Sequence, residues 1–372
     1  MESRLVINGG KALAGTVRVE GAKNSALPLL AASLLAEGEV VLHQVPRLED
    51  VRTMVEVLQA LGARVSLDGN RVAVAIGSPE RYEAPYDQVR KMRASLLVMG
   101  PLLARVGKVR MALPGGCAIG VRPIDLHLKG FRALGAEVAL EHGVVKAHAE
   151  RLRGATIYLD DASVGATINI MLAACLAEGT TVIENAAREP HVADVANYLN
   201  AMGARIHGAG TEFVRIQGVP DLVGTEHTII PDEIEVGTYM MAAVATGGYV
   251  CIENAIARHL DAVGAKLRET GAEVETNGDW IRVRGPRRPR AANVRTLRYP
   301  GFPTDLQQPY VSVAAVADGV SVVHETIYEN RFAFVSELLR MGAKIKVEGR
   351  TAIVEGVEKL QGAPVRARND LR

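Results

Sequence analysis

One short phrase recurs along the chain and limits its possible folds more than any other feature. It stands at Leu61-Gly62-Ala63-Arg64-Val65, Leu134-Gly135-Ala136-Glu137-Val138, Met202-Gly203-Ala204-Arg205-Ile206, Thr270-Gly271-Ala272-Glu273-Val274 and Met341-Gly342-Ala343-Lys344-Ile345. Its glycines are 73, 68, 68 and 71 residues apart. That period is too long for a small solenoid unit and reads as a full α/β module used several times. In each copy an apolar helix ends at a glycine: Gly38, Gly107, Gly179, Gly247 and Gly319. A β-type run follows, such as Glu39–Leu42, then an amphipathic helix such as Val51–Leu61 with Val51, Met54, Val55 and Leu58 at helical spacing. The recurring glycine ends that helix in a left-handed conformation. Two short strands close the unit, as at Arg64–Leu67 and Arg71–Ala75 around Asp68-Gly69-Asn70.

The distance from the first helix-ending glycine to the recurring glycine is 24, 28, 24, 24 and 23 residues in the five copies. Only the second copy is lengthened, and the extra residues fall where Pro114-Gly115-Gly116-Cys117-Ala118-Ile119-Gly120 precedes Val121-Arg122-Pro123. Glycines on both sides of a thiol let the backbone turn tightly and present the sulfur to a ligand. Arg122 is an anion anchor and favours the reactive thiolate. The competing reading, a turn that happens to contain cysteine, does not account for the insertion. Cys175 lies in the apolar run Met171–Leu176 and reads as structural; Cys251 reads as a strand residue.

Other function-like residues gather at two equivalent places in the modules. The first is the entrance to the first helix: Gly21-Ala22-Lys23-Asn24, Lys91-Met92-Arg93-Ala94-Ser95, Ser163-Val164-Gly165-Ala166, Asp232-Glu233-Ile234-Glu235, Phe302-Pro303-Thr304-Asp305 and Asp370-Leu371-Arg372. Helix N-termini carry unpaired N–H groups and partial positive charge, so several converging there form an anion site. The second place precedes the amphipathic helix, where Arg47, Arg122, Arg188, Arg258 and Arg331 stand. Capping and surface solvation account for Arg47 and Arg258, but poorly for Lys23, Arg93, Arg122 and Arg331 together.

Composition narrows the class. A chain of 372 residues exceeds one ordinary domain, and two of about 150–200 residues are expected. The 48% hydrophobic content with 4% aromatic suits a core of Ala, Val, Leu and Ile, and a net charge of +1 argues against nucleic acid. Three cysteines without metal-type spacing point to a reducing compartment and to neither disulfides nor metal. The N-terminus lacks a signal-peptide core and no apolar run is long enough to span a bilayer, so a soluble, cytoplasmic protein is expected.

Eight motifs in order resemble the UDP-N-acetylglucosamine 1-carboxyvinyltransferase family across the full length. They are Gly21–Asn24, Met92–Ser95, Pro114–Cys117, Arg122-Pro123-Ile124-Asp125-Leu126-His127, Ser163–Thr167, Glu184–Pro190, Phe302–Asp305 and Glu329–Phe332. The resemblance implies a two-domain inside-out α/β barrel, the enolpyruvyl transferase fold, with five complete βαβαββ-type modules here. One domain is expected over 22–229 and the other over 1–21 plus 230–372. The implied reaction moves enolpyruvyl from phosphoenolpyruvate to the 3′-hydroxyl of UDP-N-acetylglucosamine with release of phosphate, the first committed step of peptidoglycan synthesis. No cofactor, metal, nucleic acid, membrane or obligatory protein partner is implied.

By the same resemblance Cys117 donates a proton to the methylene carbon, and it is also the residue that can become the 2-(S-cysteinyl)pyruvic acid O-phosphothioketal. Asp305 takes the hydroxyl proton, and Lys23 and Arg122 hold phosphoenolpyruvate. Asn24, Arg93, Pro123, Ile124, Asp125, Leu126, Ser163, Val164, Gly165, Asp305 and Ile327 line the nucleotide-sugar site, while Arg331 and Arg372 stabilise charge near the reacting centre. Two departures stand out. Asp161 lies where relatives can carry a lysine, and the family continues past Arg372 with a sixth module whose arginine contacts phosphoenolpyruvate. The expectation is therefore a poorly soluble chain of weak activity. The alternatives are a catalytically impaired UDP-N-acetylglucosamine-binding paralogue or truncated fragment, and 5-enolpyruvylshikimate-3-phosphate synthase; the cysteine loop and Ser163–Ala166 speak against the synthase.

Overall fold

The computed structural model describes residues 4–77, 81–113, 119–120 and 123–367. They fall into two compact units: a larger one from the described residues within 20–116 and 122–230, and a smaller one from those within 1–19, 117–121 and 231–372.

In the larger unit, helix type follows from which faces are apolar. Lys23–Ala32 is buried at nine of its ten residues, and Val164–Ala174 is buried from Ala166 to its end. Helices apolar on every side belong in an interior. By contrast, Glu49–Ala60 buries Val51, Met54, Val55 and Leu58 while Arg52 and Glu56 face solvent. Asp125–Ala133 is likewise one-sided, burying His127, Leu128, Gly130 and Phe131.

The sheets cover these helices with one face in and one face out. Val145 and Ala147 are buried in Val144–His148, and Val214 and Ile216 in Phe213–Gln217, with exposed residues between them. Gly38–His43 pairs antiparallel with Arg71–Ile76, which pairs with Arg64–Asp68. Thr180–Glu184, Phe213–Gln217 and Arg205–His207 repeat that order, as do Lys108–Ala112, Val144–His148 and Glu137–Glu141. Thr156–Tyr158 joins Thr180–Glu184 as a parallel edge through the intervening buried helix, a βαβ crossover. The first sheet takes its parallel edge, Glu226–Thr228, from the far end of the unit's chain, so the unit closes on itself.

The smaller unit uses the same grammar. Ala14–Arg18 runs parallel to Tyr249–Glu253, followed spatially by Trp280–Arg284 and Glu273–Asn277. Val294–Arg295 runs parallel to Val320–His324, followed by Thr351–Glu355 and Lys344–Glu348. The helices Glu233–Thr246 and Gln307–Ala314 pack against each other beneath them. All five recurring glycines have positive φ, from +88° at Gly342 to +106° at Gly203, the backbone that the phrase requires and that a side chain would strain.

Candidate functional site

Lys23 is the first residue of its helix, which has no side-chain cap and no acidic residue in its first turn. A cation at the positive end of a helix runs against the dipole. The Lys23 ammonium is 3.2 Å from an Asp50 carboxylate oxygen, which offsets part of that cost, and it is 9% exposed. Asn24 follows, half-buried. The approach to this helix depends on Gly21, where a Cβ would lie 2.0 Å from the Gln44 carbonyl oxygen.

A second group forms around the helix Val164–Ala174. The Ser163 hydroxyl caps it by accepting from the Ala166 N–H at 3.3 Å. The Val164 and Gly165 N–H groups have no hydrogen-bond partner among the described residues. Against this end packs His127, the third residue of Asp125–Ala133 and 7% exposed. Its Nε2 and Cε1 lie 3.1 Å from where a Gly165 Cβ would stand. Burial, with the Arg93 guanidinium as a second cause, pushes the imidazole down to about 4. Arg93 itself begins the 3₁₀ segment Arg93–Val98 and is half-buried. Pro123 and Asp125 are exposed, Ile124 is buried and Leu126 is half-buried, at the start of the His127 helix.

In the smaller unit, Asp305 lies in Thr304–Leu306 at the entrance to Gln307–Ala314. The Arg331 guanidinium donates to Asp305 Oδ1 at 3.0 Å; Arg331 is 3% exposed. Its counterparts Arg47, Arg188 and Arg258 are exposed. Ile327 is positioned by a residue that the sequence reading passed over. Glu325 is fully buried, and its Oε1 accepts from the Ile327 and Tyr328 N–H groups at 2.8 and 3.1 Å. Its Oε2 accepts from the Thr304 hydroxyl at 2.9 Å, tying the loop to the Asp305 turn. Ile119 and Gly120 group with this unit, where the Asn330 N–H donates to the Ile119 carbonyl at 3.0 Å.

The structure thus gathers Arg93, Ser163, Val164 and Gly165 around His127 in the larger unit, and Asp305 and Arg331 in the smaller one. Lys23 and Asn24 stand at a separate helix entrance of the larger unit. Cys117, Arg122 and Arg372 lie outside the described residues. Cys175 is fully buried at the end of its helix, and burial pushes its thiol up to about 12. Sequence reading quoted His127 within a motif and gave it no role. Its partner Asn169, whose amide nitrogen lies 3.0 Å from His127 Nδ1, stands between Ile168 and Ile170 in a buried helix and was the available signal. Among the described residues, no group of three His, Cys, Asp or Glu could hold a metal ion, and no helix is long and apolar enough to cross a membrane.

Comparisons with known proteins fit this geometry. The model of the EPSP synthase (3-phosphoshikimate 1-carboxyvinyltransferase) family matches residues 7–372. UDP-N-acetylglucosamine 1-carboxyvinyltransferase 2 of Carboxydothermus hydrogenoformans is 57% identical over 99% of this chain and 88% of its own length. UDP-N-acetylglucosamine 1-carboxyvinyltransferase 1 of Caldanaerobacter subterraneus subsp. tengcongensis is 53% identical over 100% of this chain and 89% of its own. Among solved structures, the enolpyruvyl transferase NikO from Streptomyces tendae superposes with a TM-score of 0.82 at 26% identity, covering 94% of this chain and 83% of that one. An EPSP synthase from Acinetobacter baumannii shares the fold, with a TM-score of 0.70 at 21% identity over 96% of this chain and 85% of its own. The chain therefore has the enolpyruvyl transferase fold and belongs to the UDP-N-acetylglucosamine 1-carboxyvinyltransferase family.

Proposed function

We propose that this protein transfers the enolpyruvyl group of phosphoenolpyruvate to the 3′-hydroxyl of UDP-N-acetylglucosamine and releases phosphate, in the cytoplasm. The observation that carries the reading is the 53–57% identity, over nearly the whole chain, to relatives bearing that activity in their names. Protonation of the methylene carbon and attack of the acceptor oxygen on C2 build a tetrahedral adduct that still holds the phosphate. Loss of phosphate, and of a proton from the new methyl group, leaves the enol ether.

Cys117 supplies the first proton in this scheme, since a free thiol with pKa of about 8.5 is mostly protonated at neutral pH. Asp305 accepts the hydroxyl proton. Its Oδ1 is held by Arg331, while Oδ2 has no partner among the described residues, the arrangement expected of an oriented base. Lys23 and Arg122 neutralise the phosphate and carboxylate of phosphoenolpyruvate, and Arg331 and Arg372 stabilise charge as the phosphate leaves. Arg93, the segment Pro123 to Leu126, and Ser163, Val164 and Gly165 hold the nucleotide sugar, with Asn24 and Ile327 at its sugar end. The test is phosphate release with both substrates, together with the mass of the product. The reading requires the acceptor's mass plus one carboxyvinyl group. Turnover with shikimate 3-phosphate in place of the nucleotide sugar would instead favour the synthase.

A further inference from the structure

His127 is held in one tautomer by a chain of buried contacts. The Asn169 carbonyl oxygen accepts from the Gly100 N–H at 2.7 Å, and the Asn169 amide nitrogen donates to the Leu96 carbonyl at 2.8 Å. Two backbone groups thereby fix which end of the Asn169 amide is which. Its nitrogen also lies 3.0 Å from His127 Nδ1, and with a proton to give it makes Nδ1 the acceptor. The ring proton then resides on Nε2. That atom lies against the first turn of Val164–Ala174 and has no hydrogen-bond partner among the described residues, although the side chain is only 7% exposed.

A donor left open on a side chain this nearly buried is one that a ligand can complete. Here it stands beside the Val164 and Gly165 N–H groups, also without partners among the described residues, at the positive end of an eleven-residue helix. We propose that His127 is a substrate-binding residue whose neutral Nε2–H, fixed by Asn169, donates to an anionic phosphate oxygen of the acceptor substrate alongside the Val164 and Gly165 N–H groups. Burial first, and the nearby Arg93 charge second, keep the ring a donor at one nitrogen only, because both oppose a second proton. Gly165 belongs to the same device, since a side chain there would press on the ring.

The proposal rests on the nucleotide-sugar reading, and the experiment separates the two. Calorimetry measures binding of UDP-N-acetylglucosamine, UDP and phosphoenolpyruvate to wild type, His127→Phe and His127→Gln, the last keeping an amide donor near the Nε2 position. Loss of a hydrogen bond to a charged oxygen weakens binding roughly ten- to hundredfold. The expected result is that loss for UDP-N-acetylglucosamine and UDP in His127→Phe, most of it recovered in His127→Gln, with phosphoenolpyruvate affected by less than about twofold. Wild type that binds no UDP-N-acetylglucosamine overturns the functional reading. Wild type that binds it with His127→Phe unchanged, or with only phosphoenolpyruvate weakened, overturns this inference. Should His127→Phe fail to fold, nitrogen-15 spectra of histidine-labelled wild type decide. The proton must be on Nε2, and that resonance must shift on saturation with UDP; a proton on Nδ1, or no shift, refutes the assignment.

Discussion

Acidification should destabilise the larger unit through His127 in a way that can be calculated. The imidazole stands at about 4 in the folded chain against 6.5 for a free side chain. The folded state therefore binds fewer protons than the unfolded state between those values, and stability must fall as the pH drops from about 6.5 towards 4, with no further contribution below. At about 1.36 kcal/mol per unit, the full effect is about 3 kcal/mol, and about 2 kcal/mol is already lost between pH 7 and pH 5. The assay is native-state hydrogen exchange of the Val164–Ala174 amides at pH 7, 6 and 5, in wild type and His127→Gln. Trp280 lies in the smaller unit, so its fluorescence would follow the wrong part of the chain. The other ionisable groups of this unit, the buried His191 and the His227–Asp194 pair among them, are common to both proteins, so whatever they contribute cancels in the difference. The His127→Gln protein should lose about 2 kcal/mol less over that range. Parallel pH slopes in the two proteins would mean that the ring is not held neutral, and the tautomer argument would fall with it.

Gly165→Ala places a methyl group 3.1 Å from the His127 ring, which must shift by a few tenths of an ångström; weaker UDP binding is expected by calorimetry, with stability changed by less than about 1 kcal/mol in denaturant unfolding because alanine favours the helix. Asp305→Ala leaves the buried Arg331 without that carboxylate and should cost about 3–5 kcal/mol as well as turnover, whereas Asp305→Asn keeps an acceptor and should lose turnover with little change in melting temperature. Glu325→Gln replaces one of two accepting oxygens; loosening of the Ile327 loop should raise KM for the nucleotide sugar more than it lowers kcat. A phosphonate epoxide should alkylate Cys117 and spare Cys175, whose buried thiol at about 12 has almost no thiolate at neutral pH; peptide mass mapping reads the outcome.

What the sequence disclosed was local and periodic. The strand pairs around Gly69 and the one-sided helix Glu49–Ala60 follow from side chains that alternate or recur over a few residues. The recurring glycines announce themselves because only one backbone conformation suits them. Pairings made across long stretches of chain were not legible. His127 and Asn169 are 42 residues apart, and nothing local marks them as partners. Glu325 directly follows the strand Val320–His324, and its three accepted bonds exist only once the Thr304 turn has folded back on it. The insertion around Cys117 was visible as a length, whereas the grouping of Ile119 and Gly120 with the smaller unit was not.

Equivalent helix entrances explain how one repeated frame supports different roles. At Asp232 the carboxylate accepts from its own Ile234 and Glu235 N–H groups at 2.9 and 3.0 Å, so the positive end of that helix is answered from within. The Ser163 side chain answers only the Ala166 N–H, and weakly, at 3.3 Å, so the Val164 and Gly165 N–H groups have no partner among the described residues. Lys23 goes further and adds positive charge to a helix end that already carries it. Capping strength thus sorts the entrances physically: a carboxylate cap closes a site, a hydroxyl cap leaves it half open, and a lysine demands a negative partner. Asp305 inverts the last case, bringing negative charge to its entrance and requiring a cation, which Arg331 supplies. A frame built by repetition therefore acquires its chemistry at single positions, where the first residue of a helix decides whether that helix is content with its own side chains.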